Sequence, residues 1–276
     1  MFLDSSSAWV VHGASTTLLS AVGRLMRSTG IAAPASLGGA SDHTLMAVSA
    51  IDAAAQRVWF AARWDWRCFW VPFELDPSEQ ALFYRLPDRY SETAADPVCS
   101  YLGDAPLYHE PYQDLIFRRP TIDIVPFDQM LAGMGLSATA VWLDFLSEDE
   151  NTGAPRYWGI QGSSLYLYPV LDEDTMEELD DSLSKLPISF NFYASYQSLM
   201  NADLDSGADI LIEIPDKIMH IIHHLALGYF QADLEYPGAG QNEGRGERML
   251  NKEVAGHRKL KRDSARFTPT GNRRAW

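Results

Sequence analysis

Residues 63–75 read RWDWRCFWVPFEL, and the reading of this stretch decides the fold. Before it, residues 41–63 carry Leu45, Val48, Ile51, Ala55, Val58 and Trp59 on one stripe at helical spacing, behind a Ser41-Asp42 start. Within it, Trp64, Trp66 and Trp70 crowd together and the apolar pattern turns to alternation, so the chain leaves a helix and enters a strand. Trp59, Trp64, Trp66 and Trp70 are predicted core or interface aromatics, since such clusters are packing anchors.

Working toward the N-terminus, residues 15–28 (STTLLSAVGRLMRS) place Leu18, Leu19, Val22, Leu25 and Met26 at helical spacing behind a Ser/Thr cap. TGIAAPASLGGA, residues 29–40, breaks that pattern with Pro34 and Gly38-Gly39. The chain therefore begins with a helical pair over 1–65.

Working the other way, residues 66–212 are predicted to form a β-rich insertion. ALFYRLPDRY (81–90) reads as a short strand, and DLIFRRPTIDIVPFDQM (114–130) as two strands parted by Pro120. APRYWGIQGSSLYLYPV (154–170) reads as a hairpin about Gln161-Gly162, with Tyr157 and Trp158 among its core aromatics. PISFNFYASYQSL (187–199) is one more alternating strand. Residues 213–244 return to helix, with Pro215 in a first-turn position, before a Gly-rich break, PGAGQNEGRGE (237–247). Residues 245–276 read as a basic helix or arm with a loose end. The expected fold is α+β: a helical bundle from the two chain ends, an inserted β-rich domain of hairpin or sandwich type, and an extended C-terminal arm.

Composition narrows the function. The chain has 276 residues, 46% hydrophobic and 12% aromatic, enough to build a core. No run approaches 18 apolar residues, so no membrane partner is expected. The first 15 residues lack a basic start and carry Asp4, against a secretory signal. Cys68 and Cys99 are too few for a framework or a zinc site; reduced thiols are expected, with a single disulfide left open. Net charge is −15, unevenly spread: residues 245–276 hold ten Lys/Arg against three acids, which leaves −22 for residues 1–244. Such a body repels a phosphate backbone, whereas the tail suits an acidic protein surface or nucleic acid, or is a solvated helix end.

IMHIIHHLALGYFQADL, residues 218–234, carries the most conspicuous chemistry. His220, His223 and His224 have spacing that can ligate zinc on a helix. At about 100° per residue, Ile218, Ile221, Ile222, Leu225 and Tyr229 fall together, and the histidines with Gln231 fall opposite them. No Glu, Asp or Cys joins that face, and the Glu of a His-Glu-x-x-His motif is missing. The candidate reading is a polar stripe of His220, His223, His224 and Gln231 that faces solvent or a neighbouring subunit, in the latter case as a contact able to sense pH. Elsewhere, Asn201, Asp203 and Asp205 fail the calcium-loop pattern, since Gly207 comes one position late and Ile212 stands at the twelfth. LDEDTMEELDD (171–181) is a solvated acidic face or short helix. Gly162, Ser163 and Ser164 lack the second glycine of a nucleophile elbow, Tyr166 standing there. No catalytic residue, metal or cofactor is expected.

The order of features resembles the head-to-tail adaptor (connector, head-completion) proteins of tailed bacteriophages, the tail tubular protein A type included. The shared pieces are a Trp-rich junction (AIDAAAQRVWFAARWDW, 50–66), a strand closing on FYRLPDRYSE (83–92), and a hairpin with Pro155, Tyr157, Gly159-Ile160, Gly162, Leu165, Leu167 and Pro169. A tyrosine-containing strand, an Ile214-Pro215 helix start and two further helices follow. The resemblance covers about residues 60–265; the stretch 91–153 is longer than the family pattern. It implies a structural virion protein and no enzyme, forming a ring, commonly of twelve copies, at the portal vertex or tail neck after assembly in the host cytoplasm. The implied partners are the portal protein, a downstream tail or nozzle protein, other copies of the chain, and double-stranded DNA passing through the channel. The implied docking arm carries Arg258, Lys259, Lys261, Arg262, Arg266, Arg273, Arg274 and Trp276. Competing readings are another tail tube or nozzle component, a nucleic-acid-binding tail, and a metal-dependent hydrolase using the histidine trio.

Overall fold

Helix α1 (Leu18–Ser28) starts where Thr17 turns its side chain onto the Ser20 amide, and α2 (Asp42–Phe60) starts the same way under Ser41, which accepts from Thr44 N. The computed structural model describes residues 13–79, 83–86, 88–93, 99–101, 121–124, 152–155, 157–161, 164–180, 184–205 and 210–266. Chain contacts divide it into two units. Cys68–Ser195 forms the core of one; Trp9–Arg67 and Tyr196–Trp276 form the other. The described elements make this an α+β protein.

The first unit is a sheet. Its strands are β1 (Cys68–Leu75), β2 (Phe83–Arg85), β3 (Tyr90–Thr93), β4 (Cys99–Tyr101), β5 (Thr121–Ile124), β6 (Tyr157–Gln161), β7 (Ser164–Tyr168) and β8 (Leu186–Ala194). They lie in the order β1-β8-β4-β5-β6-β7-β2, with β3 also on β8; all pairings are antiparallel except β5 with β6. Among the described strands β1 lies at the edge of the sheet, where a proline such as Pro72 is tolerated. The β6–β7 hairpin is as expected, with Gln161 of β6 paired to Ser164 of β7. Alternation works on β7, where Leu165 and Leu167 are buried and their neighbours are not, and Trp158 is wholly buried. A short helix, α3 (Glu173–Asp180), is the acidic run, started by Asp172 accepting from Thr175 N and anchored by buried Met176. Cys68 and Cys99 lie on strands flanking β8 on opposite sides, opposite Tyr193 and Phe190. Two strand spacings of about 4.8 Å each exceed a disulfide's Cα reach of about 7 Å, so the two are not bridged.

The second unit is helical. α4 (Met219–Asp233) and α5 (Ala239–Arg266) join α1 and α2. α4 packs against α1, α2 and α5 together, and it is apolar nearly all round for that reason: Met219, Ile221, Ile222, Leu225, Ala226, Leu227 and Phe230 are all buried. The stripe predicted on α2 holds from Val48 to Trp59, but Leu45, one turn from the N-terminus, is 40% exposed. The Gly-rich stretch 237–247, expected to break the chain, is mostly inside α5. The glycines serve contact. A Cβ on Gly228 would fall 2.6 Å from the Glu243 backbone nitrogen, and one on Gly246 would fall 2.9 Å from the Leu225 nitrogen. Two antiparallel helices thus approach until backbone meets backbone, which only glycine permits.

The crossings between units also differ from the expected 66 and 212. Residues 196–212 belong with the helices because Asp52 of α2 holds them: it accepts from Tyr196 Oη (2.8 Å), Ser198 Oγ (2.9 Å) and Leu199 N (2.6 Å). Backbone bonds Leu18 N to Ile210 O and Ile212 N to Thr16 O continue the attachment.

Candidate functional site

Three features need placing: the tryptophan junction, the histidine helix and the basic helix. The junction is structural. Trp59 and Trp64 are buried, Trp59 meets Trp66 edge-on at 5.1 Å, and Trp64 stacks on Trp66 at 6.0 Å. Trp64 Nε1 donates to the Val58 carbonyl at 2.7 Å, closing the end of α2. Arg67 is almost fully buried; its Nη1 donates to Trp59 O at 2.9 Å and its guanidinium lies 5.3 Å from the Trp59 ring. A buried cation is tolerated here because carbonyls and ring faces replace water. The side chains of Trp70 and Tyr157 lie outside the described residues.

The histidines do not form one outward stripe. α4 has neighbours on three sides, so part of the face opposite Ile221, at His223 and His224, is half-buried. His220 is exposed. His223 is half-buried toward α1, with Nε2 3.5 Å from Ser28 Oγ. His224 is half-buried, with its ring 5.9 Å from that of His223 and its buried Nδ1 without a hydrogen-bond partner among the described residues. Gln231 is spent within the unit, its Oε1 accepting from Asn242 Nδ2 on α5 at 2.7 Å.

Electrostatics gives this face its character. Burial, then Arg24, then His224 push the His223 imidazolium down to about 4. Burial, then Arg245, His220 and Arg24 lower His224. Each charged neighbour acting on the pair is cationic, on a chain of net charge −15. Arg24 and Arg245 are the members of this group that the histidine spacing did not reveal. A signal existed: α1 carries Arg24 and Arg27 and no acid. A cleft of about 120 Å³ opens between α1, α2 and α4, with Thr16, Ser20, Arg24 and His223 among its lining residues.

As to metal, no group of three His, Cys, Asp or Glu with suitable placement occurs among the described residues. Asp203 accepts from Asp205 N at 3.1 Å, a local turn bond, and Asp205 accepts from Gly39 N at 3.0 Å, a long-range bond that ties this run to the loop before α2.

The basic helix is held at its near end. Arg57 Nε meets Glu247 Oε1 at 3.0 Å, Leu250 and Val254 are buried, and His257 Nε2 lies 2.9 Å from the Arg63 carbonyl with its ring against Trp64. In the register set by Gly228–Glu243 and Leu225–Gly246, residue 253 is level with residue 218, so α5 runs on beyond the start of α4. Arg258 and Lys259 are exposed there. Lys261, Arg262 and Arg266 continue the helix backbone, while Arg273, Arg274 and Trp276 lie outside the described residues, as does most of 91–153.

No protein-family model matches the sequence, and no curated protein matches it significantly. No helix among the described residues is long and apolar enough to cross a membrane.

Proposed function

We propose that the chain is a structural virion protein, a ring-forming head-to-tail adaptor of a tailed bacteriophage. It docks on the portal protein, extends the DNA channel, helps retain packaged DNA and presents a platform to a downstream tail or nozzle protein. The observation that carries the reading is the α5 helix. Its near half is packed on α4, while its cationic far half extends past that helix, in a unit whose two segments flank the β-rich insertion in sequence. A basic helical extension on an acidic body suits an acidic groove on a larger assembly. The bundle, the inserted domain and the extended arm are the finer fold that accompanies this proposal, and the ordered motifs between residues 60 and 265 support it.

The test is to mix the purified chain with DNA-filled, portal-bearing heads and image the vertex by electron microscopy. A ring below the portal is the expected result; absence of any density there sinks the adaptor reading. A chain that leaves the portal bare yet joins isolated tails belongs to a tail tube or nozzle component.

A further inference from the structure

We propose that the cleft between α1 and α4 is a binding site for a phosphate-class oxyanion, gripped by Arg24 and His223 and supported by the nearby charge of Arg245. The inference stands apart from the adaptor reading. It rests on an imbalance of charge and on the shape of the place where that imbalance falls.

The charge comes first. α1 supplies Arg24, α4 supplies His220, His223 and His224, and α5 supplies Arg245; α2 supplies only Ile51 to the cleft wall. Among the described residues, no carboxylate acts on either half-buried histidine. Arg24 and Arg245 form no ion pair among the described residues, whereas Arg57, Arg85 and Lys185 pair with Glu247, Asp88 and Asp76. Asp216 comes to the cleft only through Thr16, and its carboxylate is already occupied by the amides and hydroxyls of Ser15 and Thr16. The standing charges near the cleft are those of Arg24 and Arg245, and they hold the histidines neutral until the pH falls; an anion offsets that positive field.

Geometry then selects the anion. The cleft has room for a group of a few heavy atoms, and the residues able to donate that line it are Arg24 and Ser20 on α1 and His223 on α4. Donors on separate walls fit a tetrahedral oxyanion, whose oxygens diverge, better than a planar carboxylate, which a single guanidinium satisfies. Ser28 Oγ, 3.5 Å from His223 Nε2, sits where it can orient the ring. Free phosphate and a nucleic-acid backbone present the same chemistry. Because an anion favours the imidazolium, binding takes up a proton at His223 and tightens as pH falls.

The experiment uses the full chain with ¹⁵N-labelled histidine, resonances being assigned by His223→Asn. Inorganic phosphate is titrated at constant ionic strength against chloride, with sulfate for the pH series because it does not titrate there. A saturable change at His223, with His43 and His257 unmoved, is expected, together with a rise of its midpoint by about one unit, equivalent to tenfold tighter binding to the protonated form. Arg24 is exposed and removable without loss of core, so Arg24→Ala should fold and bind at least tenfold more weakly, with Arg24→Lys between. A short single-stranded oligonucleotide binding over tenfold tighter than phosphate assigns the backbone as source; equal binding assigns the free ion. An equal response to chloride or acetate, or an unchanged response in Arg24→Ala, overturns the site.

Discussion

Gly228 of α4 lies against the backbone of Glu243 on α5, so close that a Cβ would stand 2.6 Å from the Glu243 nitrogen and 2.8 Å from its Cα. Backbone cannot swing aside as a side chain can. Gly228→Ala should therefore separate the helices and cost about 2–3 kcal/mol, more than the roughly 1 kcal/mol that alanine gains in helix propensity. Gly256, on the same α5, has open space where a methyl would stand, with nothing within 4 Å. Gly256→Ala should stabilise by about 0.5–1 kcal/mol. Urea unfolding of the two variants separates close packing from propensity, because the signs are opposite.

Asp52 is the second point at which one side chain governs a connection. It takes three hydrogen bonds from the segment that leaves β8, and burial with the Asp52 charge holds the Tyr196 phenol well above its ordinary value. Asp52→Ala should cost about 2–3 kcal/mol and Tyr196→Phe about 1 kcal/mol. The double variant should fall short of the sum, since both remove the same bond. Additivity in a denaturation cycle would show that the bond contributes nothing.

Acid sensitivity should appear in two windows. His223 is held at about 4, below its unfolded value of about 6.5, so the unfolded chain binds the proton first. Its contribution is full above pH 6.5 and is lost as pH falls to about 4. Asp216 is held at about 2 by the donors of Ser15 and Thr16, so its contribution is full above the ordinary carboxylate range and is lost only from about pH 4 downward. His223→Asn should flatten the upper limb of a stability-against-pH curve in phosphate-free buffer, and Asp216→Asn the lower. Loss of the same limb in both variants would refute this assignment.

Much of the fold is legible in the sequence because local signals and burial agree. Thr17 and Ser41 cap their helices, β6 and β7 pair as aromatic-rich hairpin strands, and the stripe from Val48 to Trp59 is buried. The histidine helix departs from its sequence reading for a physical reason. Helical phase tells which residues lie opposite each other, and it assumes one buried side; α4 has three neighbours, so His223 and His224 meet α1 and α5. Propensity alone makes breakers of the glycines of 237–247, because it cannot see that Gly246 sits on Leu225. Arg24 and Arg245, far apart in sequence, become partners of the histidines only once α1 and α5 are placed beside α4.

The α5 helix sets where a truncation can test the docking arm. Leu250 is 1% exposed and Val254 9% exposed, and His257 reaches the Arg63 carbonyl beside Trp64. Ending the chain at 249 removes all three contacts. Loss of a buried leucine alone costs about 2–4 kcal/mol, so that variant should be destabilised or unfolded, and its failure to join a particle would say nothing about docking. Ending the chain at 259 keeps each of these contacts and removes Lys261, Arg262, Arg266, Arg273, Arg274 and Trp276. This shorter cut should lower the denaturation midpoint by little and leave the helical circular dichroism nearly unchanged. It should also abolish incorporation into portal-bearing heads. Normal incorporation of a folded 1–259 chain would remove the cationic end of α5 from the docking role.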